Sequence, residues 1–309
     1  MPDINIVKID GKPLEKLIET VSAGIGTLYK PRAIRKEAEA KAYEVEVLAN
    51  AKAKATIIKS ESDSEIAERA RQRLYYQEMN RQINIDVIVD KAVGYLNETV
   101  AEQAVDENWR TRFFNKVQDI SLEELQEVWA KILANEINKP GSVHLRTLDI
   151  LSNMSAKDAK LFAKLCALST VNGHILKLES DLKSFGLSFE NIMTLMDAGL
   201  LLNNLSLTSD IEDFELITWR EKKGLLLKWN NLELFITNKP KPRVSFGKKL
   251  LLGTKYPDGE NKKYFFSSYI LTPAGNDLHQ IVNSKIDLEY IKKLKETLDK
   301  AGYIVEEFN

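Results

Sequence analysis

A chain of 309 residues with 44% hydrophobic and 29% charged residues has the make-up of an ordinary globular protein, long enough for two domains that each bury a core. Its net charge of -1 gives no global excess to draw it to nucleic acid or acidic membranes, so such a partner has to be met by a local patch. The single cysteine excludes a disulfide framework within the chain and fits a reducing cytosol, and no run reaches the roughly 20 apolar residues of a spanning helix.

Met1 to Lys12 alternate apolar and polar residues, so no signal peptide is expected. Residues 4–9 read as a short strand or extended arm ending at Asp10-Gly11. Pro13 suits the first turn of a helix, predicted over 13–30, with Leu14, Leu17, Ile18, Val21, Ile25 and Leu28 on one face. Small residues in its middle, Ser22-Ala23-Gly24-Ile25-Gly26, allow another backbone to approach closely, and Pro31 ends it. Lys30, Arg32, Arg35 and Lys36 follow, and an apolar face with basic flanks suits a helix lying on anionic lipid. It equally suits a docking helix that seals an oligomer core. Leu17, Val21, Ser22, Gly24, Ile25, Gly26 and Leu28 are therefore the membrane or oligomer candidates. Spanning by this helix alone would be short, since ~17 residues give ~25 Å against a hydrocarbon core of ~30 Å.

From Arg32 to Val93 there is neither glycine nor proline, and alanine, glutamate, lysine and arginine dominate. These are the best helix formers, and a continuous helix of that span would be ~90 Å long. A weak point is expected at Ser60-Glu61-Ser62-Asp63-Ser64, because serine and aspartate prefer caps. Such a helix cannot bury itself. Its alanine face (Ala38, Ala42, Ala49, Ala53) suits close packing on partner copies, or the chain folds back.

After Gly94 a compact helical domain is predicted. Ser121-Leu122-Glu123-Glu124 reads as a capping box before Leu125, Val128, Trp129, Ile132 and Leu133, and the helix stops at Asn138-Lys139-Pro140-Gly141. Ser155-Ala156-Lys157-Asp158 opens a further capped helix that includes Cys166, read as a small buried hydrophobe. From about 172 the period changes. A helix over 188–198 runs into Gly199-Leu200-Leu201, strand-like runs follow at 214–219, 225–229 and 232–236, and a last strand at 264–271 leads into Thr272-Pro273-Ala274-Gly275 and a helix. A helix over 287–301 and a strand over 303–306 close the chain, and the whole succession reads as a winged-helix domain.

The run 18–38, from Ile18 through Gly24-Ile25-Gly26 and Lys30-Pro31-Arg32 to Ala38, resembles the opening of an uncharacterised bacterial family, a domain of unknown function of the DUF2806 type. The stretch from Ser121 through Trp129, Leu133-Ala134, Pro140-Gly141-Ser142, Arg146-Thr147-Leu148 and Asp158-Ala159 is similar too. That stretch also loosely resembles bacterial abortive-infection alpha proteins, associated with phage defence. The resemblance covers most of the chain. It implies no reaction, and through the looser likeness it implies a role in defence.

Catalysis has no visible home. His144, His174 and His279 lie far apart, with no second histidine or cysteine at metal-ligand spacing. Gly24-x-Gly26 lacks the preceding strand and third glycine of a dinucleotide fingerprint. The strongest charge feature is the basic loop 239–263, with Lys239, Lys241, Arg243, Lys248, Lys249, Lys255, Lys262 and Lys263 opposed by Asp258 and Glu260. Phe246, Tyr256 and Tyr264 are interleaved, which suits phosphates plus stacked bases. The same loop also suits a solvated wing kept soluble by lysines. The helix over 188–198 carries Glu190 and Asp197 and no lysine or arginine, so a duplex-reading transcription factor is not expected.

The expected fold is mainly α with a smaller α+β part: an arm and amphipathic helix (1–31), a long helix (32–93), a compact helical domain (94–171) and a winged-helix-like domain (172–309). The expected function is that of a non-enzymatic homo-oligomeric effector of anti-phage defence. It would act at the inner membrane through the N-terminal helix and be gated by a nucleotide or short single-stranded nucleic acid held by Lys239, Lys241, Arg243, Lys248, Lys249, Lys255, Tyr256, Lys262, Lys263 and Tyr264. The alternative is a soluble oligomeric scaffold or nucleic-acid-binding regulator without membrane action. No cofactor, metal or catalytic residue is expected, and the location is cytoplasmic, peripheral to or inserted in the inner membrane.

Overall fold

The computed structural model describes residues 11–27, 29, 45–46, 48–49, 52, 65–178, 182–203, 208–209, 215–238, 252–255, 263–282, 284–300 and 302–308. The architecture is mainly α with small antiparallel sheets, and the chain divides into two compact units, Met1–Ser152 and Asn153–Asn309.

The first unit is helical: α1 (Lys12–Ile25), α2 (Glu65–Val93), α3 (Glu107–Val117), α4 (Glu123–Asn138) and α5 (Leu145–Ser152). Helix α1 starts at Lys12 with Pro13 in its first turn, as predicted for that residue, but stops earlier than residue 30. Gly26 takes the left-handed conformation (φ 76°) and donates its N–H to the Ser22 carbonyl at 3.0 Å, so the helix ends there and not at Pro31. The chain then turns back, and the N–H of buried Tyr29 donates to Ser22 Oγ at 2.9 Å.

Within the predicted 32–93 helix, α2 is continuous from Glu65, and Ile85, Ile88, Val89 and Ala92 near its C-terminus form the buried stripe that packs on α4. The expected weak point at 60–64 lies outside the described residues. Helix α3 is capped by Asp106, which accepts the Trp109 N–H at 2.9 Å. It carries the core aromatics. Trp109 stacks on Phe113 with ring centroids 5.0 Å apart, and Phe113 meets the fully buried Trp129 of α4 edge-on at 5.5 Å. The capping box expected at Ser121 does not form: Leu122 is the N-cap of α4, with no side-chain cap bond. At the other end of α4 the buried Glu136 accepts N–H groups of Gly141 at 2.6 Å and Val143 at 3.0 Å, fixing the Pro140-Gly141 turn. Trp109 Nε1–H donates to the Val143 carbonyl at 3.0 Å and ties that turn to the aromatic core.

The second unit contains α6 (Ala156–Cys166), β1 (His174–Leu176), a 3-10 turn (Leu182–Phe185), α7 (Phe189–Asp197), β2 (Thr208–Ser209), β3 (Glu215–Trp219), β4 (Lys222–Trp229), β5 (Leu232–Asn238), β6 (Leu252–Lys255), β7 (Lys263–Ile270), α8 (Pro273–Val282), α9 (Leu288–Lys300) and β8 (Tyr303–Glu307). The predicted box at Ser155 and Asp158 is formed, and Ser188 with Asn191 makes a second one at the start of α7. One antiparallel sheet has β7 between β1 and β2, with β6 also paired to β7. The other runs β3-β4-β5-β8. Strand β4 begins at Lys222, earlier than the run expected at 225–229. Arg220 and Glu221 adopt positive φ (47° and 63°), a two-residue turn that lets pairing start at Trp219 opposite Lys222.

Two sequence signals prove to be one joint. Thr272 Oγ–H donates to the Gly199 carbonyl at 2.6 Å, and a Cβ on Gly275 would stand 2.3 Å from the Leu200 carbonyl oxygen. Glycine at 275 is thus what lets α8 press against the Gly199-Leu200 turn. The sheets are tied to the helices by Trp229 Nε1–H to the Leu168 carbonyl (3.2 Å) and Tyr290 O–H to the Leu176 carbonyl (2.8 Å).

Candidate functional site

The amphipathic face of α1 is turned into its own unit. Pro13, Leu17, Thr20 and Val21 are buried, Leu17 and Val21 completely. Lys12 Nζ meets Glu102 at 2.9 Å and Lys16 Nζ donates to the Glu102 carbonyl at 3.1 Å, anchoring the start of the helix. Of the two glycines read as a packing surface, Gly24 lies under the Phe114 ring, where a Cβ would come within 2.2 Å of Cδ2. What comes close within the chain is thus the aromatic side chain of Phe114. Gly26 has nothing within 4 Å of a built Cβ, and its part is the left-handed cap. Ser22 and Ile25 are half-buried, and Leu28 and the basic flank Lys30, Arg32, Arg35 and Lys36 lie outside the described residues. Among the described residues no helix is long and apolar enough to cross a membrane.

Of the basic loop, Lys239, Lys241, Arg243, Lys248, Lys249, Tyr256 and Lys262 lie outside the described residues. The strands at its end are placed by their backbone. Lys255 on β6 stands directly opposite Lys263 on β7, and Tyr264 stands opposite Thr254. Successive strand residues belong to opposite faces, so Tyr264 shares a face with Phe266 and Ser268, and Lys263 shares one with Phe265, Ser267 and Tyr269. Near β1 both faces are covered, since Ile175 opposite Tyr269 and Leu176 opposite Ser268 are both buried. Lys255 and Lys263 thus share one register position, and Tyr264 stands at the next.

On the Lys263 face Tyr269 is half-buried, and Lys177 Nζ lies over its ring, 4.3 Å from the centroid. Desolvation holds the Lys177 ammonium below its ordinary pKa, so its positive charge is poorly hydrated. Sequence reading did not single out the contact of Lys177 with Tyr269.

Helix α7 exposes Phe189 and carries Glu190 and Asp197 without a basic residue. Cys166 is buried and burial pushes its thiol up, away from the reactive thiolate. His279 is buried as well, and desolvation pushes its imidazole below the usual value. Tyr95 is pushed up to about 12, first by its hydrogen bond to Glu127 and then by burial. Among the described residues no group of three His, Cys, Asp or Glu side chains comes together to hold a metal.

A family model described as "Protein of unknown function (DUF2806)" matches residues 68–295, from α2 into α9. No curated protein and no solved structure matches the chain.

Proposed function

The chain belongs to the DUF2806 family, and from that premise we propose that it is a non-catalytic binding and assembly protein whose second unit takes an anionic nucleotide or oligonucleotide. The observation that carries this reading is Lys255 directly opposite Lys263 at the end of the β6–β7 pair. Like charges in that relation destabilise a sheet, and a bound phosphate relieves the repulsion. Lys262 and the lysines and arginine from 239 to 249 adjoin the same two strands in sequence.

The order of elements supports a winged-helix assignment for the second unit. A helix (α6), a strand (β1), a 3-10 turn, a helix (α7) and strands β2 and β7 follow one another, with the last strand central. On that assignment β6–β7 belongs to the wing, and β3–β5 is an elaboration inserted before it. Helix α7 takes the place of a recognition helix. Its acidic residues favour binding through the wing over reading a duplex major groove.

For the first unit, the docked α1 favours the reading without membrane action, because the apolar face that would enter lipid is engaged with α3 and α4. Self-association is part of the proposal, and α2 supports it. Tyr76 (68% exposed) and Ile83 (45%) stand seven residues apart on one helical stripe.

The test is a titration of the full chain with a labelled oligonucleotide at low salt, beside the variant Lys255→Glu/Lys263→Glu. Binding by the parent that the variant loses is the expected result. Equal binding by both overturns the assignment of the site.

A further inference from the structure

We infer that the outer stripe of α2 is a contact surface for α2 of a second copy of the chain, with the two helices antiparallel. This gives the proposed self-association a surface and a direction, and rests on it. Arg69, Tyr76, Ile83 and Asp90 follow one another at seven-residue steps, so they line one stripe that drifts by only about 20° per step. The Arg69 side chain is 69% exposed, Tyr76 68% and Ile83 45%, while Asp90 is half-buried. With 3.6 residues per turn, Ile85, Val89 and Ala92 fall on the other side of the helix, and they are buried where α2 packs on α4. The stripe therefore faces away from the core of its own unit.

The order of the four residues selects both the occupant and its direction. Along the stripe they run cation, aromatic, aliphatic, anion. With two copies laid antiparallel about a point midway between Met79 and Asn80, Arg69 meets the partner's Asp90 and Tyr76 meets the partner's Ile83. Two-fold symmetry makes each contact occur twice. A parallel pair would instead set Arg69 against the partner's Arg69 and Asp90 against the partner's Asp90, and like charges in that relation repel. Arg73, exposed beside the stripe, would add to the repulsion. Arg69 lies 3.8 Å from Glu65 one turn earlier, but both side chains are exposed and such a pair is worth little, which leaves the guanidinium available. An unrelated helix would have to supply the reversed order of residues, whereas a second copy has it already. From Arg69 to Asp90 the seam is about 32 Å long, and its seven-residue repeat is that of a left-handed helix pair. Its apolar contact is carried by Tyr76 and Ile83, so charges placed there should separate the copies.

The experiment is light scattering of the full chain at a fixed micromolar concentration for the parent, Tyr76→Lys, Ile83→Glu and Tyr76→Lys/Ile83→Glu, with circular dichroism to report the fold. The parent should scatter above the 35.1 kDa of one chain, and each single variant should fall towards that mass. The double variant should recover the parent's mass, because in the antiparallel pair each introduced lysine meets an introduced glutamate of the other copy. In a parallel pair the introduced charges face their own kind, so a double variant that stays dissociated overturns the antiparallel surface. Single variants that keep the parent's mass place the contact elsewhere and overturn it too, with self-association left standing. Unfolding by either single change would contradict the exposed placement of the stripe and overturn the proposal. A parent with the mass of one chain removes both the surface and self-association.

Discussion

The ring of Phe114 occupies the space that a side chain on Gly24 would need: a Cβ built there stands 2.2 Å from Cδ2. Gly24→Ala should therefore destabilise the first unit by roughly 1–3 kcal/mol, the usual range for overpacking. Phe114→Leu should recover part of that loss in the double variant. Gly26→Ala acts by a different route, since its space is open and its cost is left-handed backbone strain of about 1–2 kcal/mol. Thermal melts of the three variants check this. A Gly24→Ala protein as stable as the parent would mean that α1 is not docked in solution.

Glu136 sets a pH dependence. Burial raises its pKa above the ordinary carboxyl value of about 4.3, and the Gly141, Val143 and Ser142 hydrogen bonds oppose this only in part. Over the window between the ordinary and the raised value, the folded state binds more protons than the unfolded one. Its contribution to stability is therefore fully present below about pH 4 and is lost as pH rises through the raised value. Gln at this position does not titrate, so the stability difference between the parent and Glu136→Gln should shrink as pH rises through that window. A difference that grows with pH would contradict the raised value.

The joint between Thr272 and Gly199 holds the second unit. Gly275→Ala drives a Cβ into the Leu200 carbonyl oxygen, which is backbone and cannot rotate away. A loss of about 3 kcal/mol or more is expected, the upper end of overpacking costs. Thr272→Val removes the 2.6 Å hydrogen bond and should cost about 1 kcal/mol. Denaturant unfolding followed on Trp229 fluorescence reads both, and equal effects of the two changes would not fit the clash.

Assembly is read on α2. Light scattering of the parent should give a mass well above the 35.1 kDa of one chain, and Tyr76→Lys/Ile83→Lys should shift it down. A mass of one chain throughout the micromolar range would remove self-association from the account.

Much of the fold was legible because local chemistry and tertiary environment agree. Ser155 and Ser188 precede capped helices, and Gly199 ends α7 in a left-handed turn (φ 75°). The apolar runs of β4 and β5 mark strands buried at successive residues, Leu225 to Leu227 and Leu234 to Ile236. Misreadings came where two physical causes produce the same residue. Gly26 reads as one more small residue on a packing face, yet its conformation closes the helix. Ser121 has the right spacing to Glu124, yet the helix starts after Leu122 without it. The site was less legible than the fold because it depends on register. Lys177 reaches Tyr269 only through the pairing of β1 with β7, and period two alone separates Tyr264 from Lys263.

The most direct test of the central claim is the salt dependence of oligo(dT) binding, measured for the parent and for Lys255→Ala/Lys263→Ala. Each single-strand phosphate neutralised by a lysine contributes about 0.7 to the slope of log affinity against log salt. Affinity of the parent should fall steeply with salt, and the double variant should bind more weakly with a slope smaller by about 1.4. A parent affinity indifferent to salt, or a double variant with the same slope and affinity as the parent, would contradict the account.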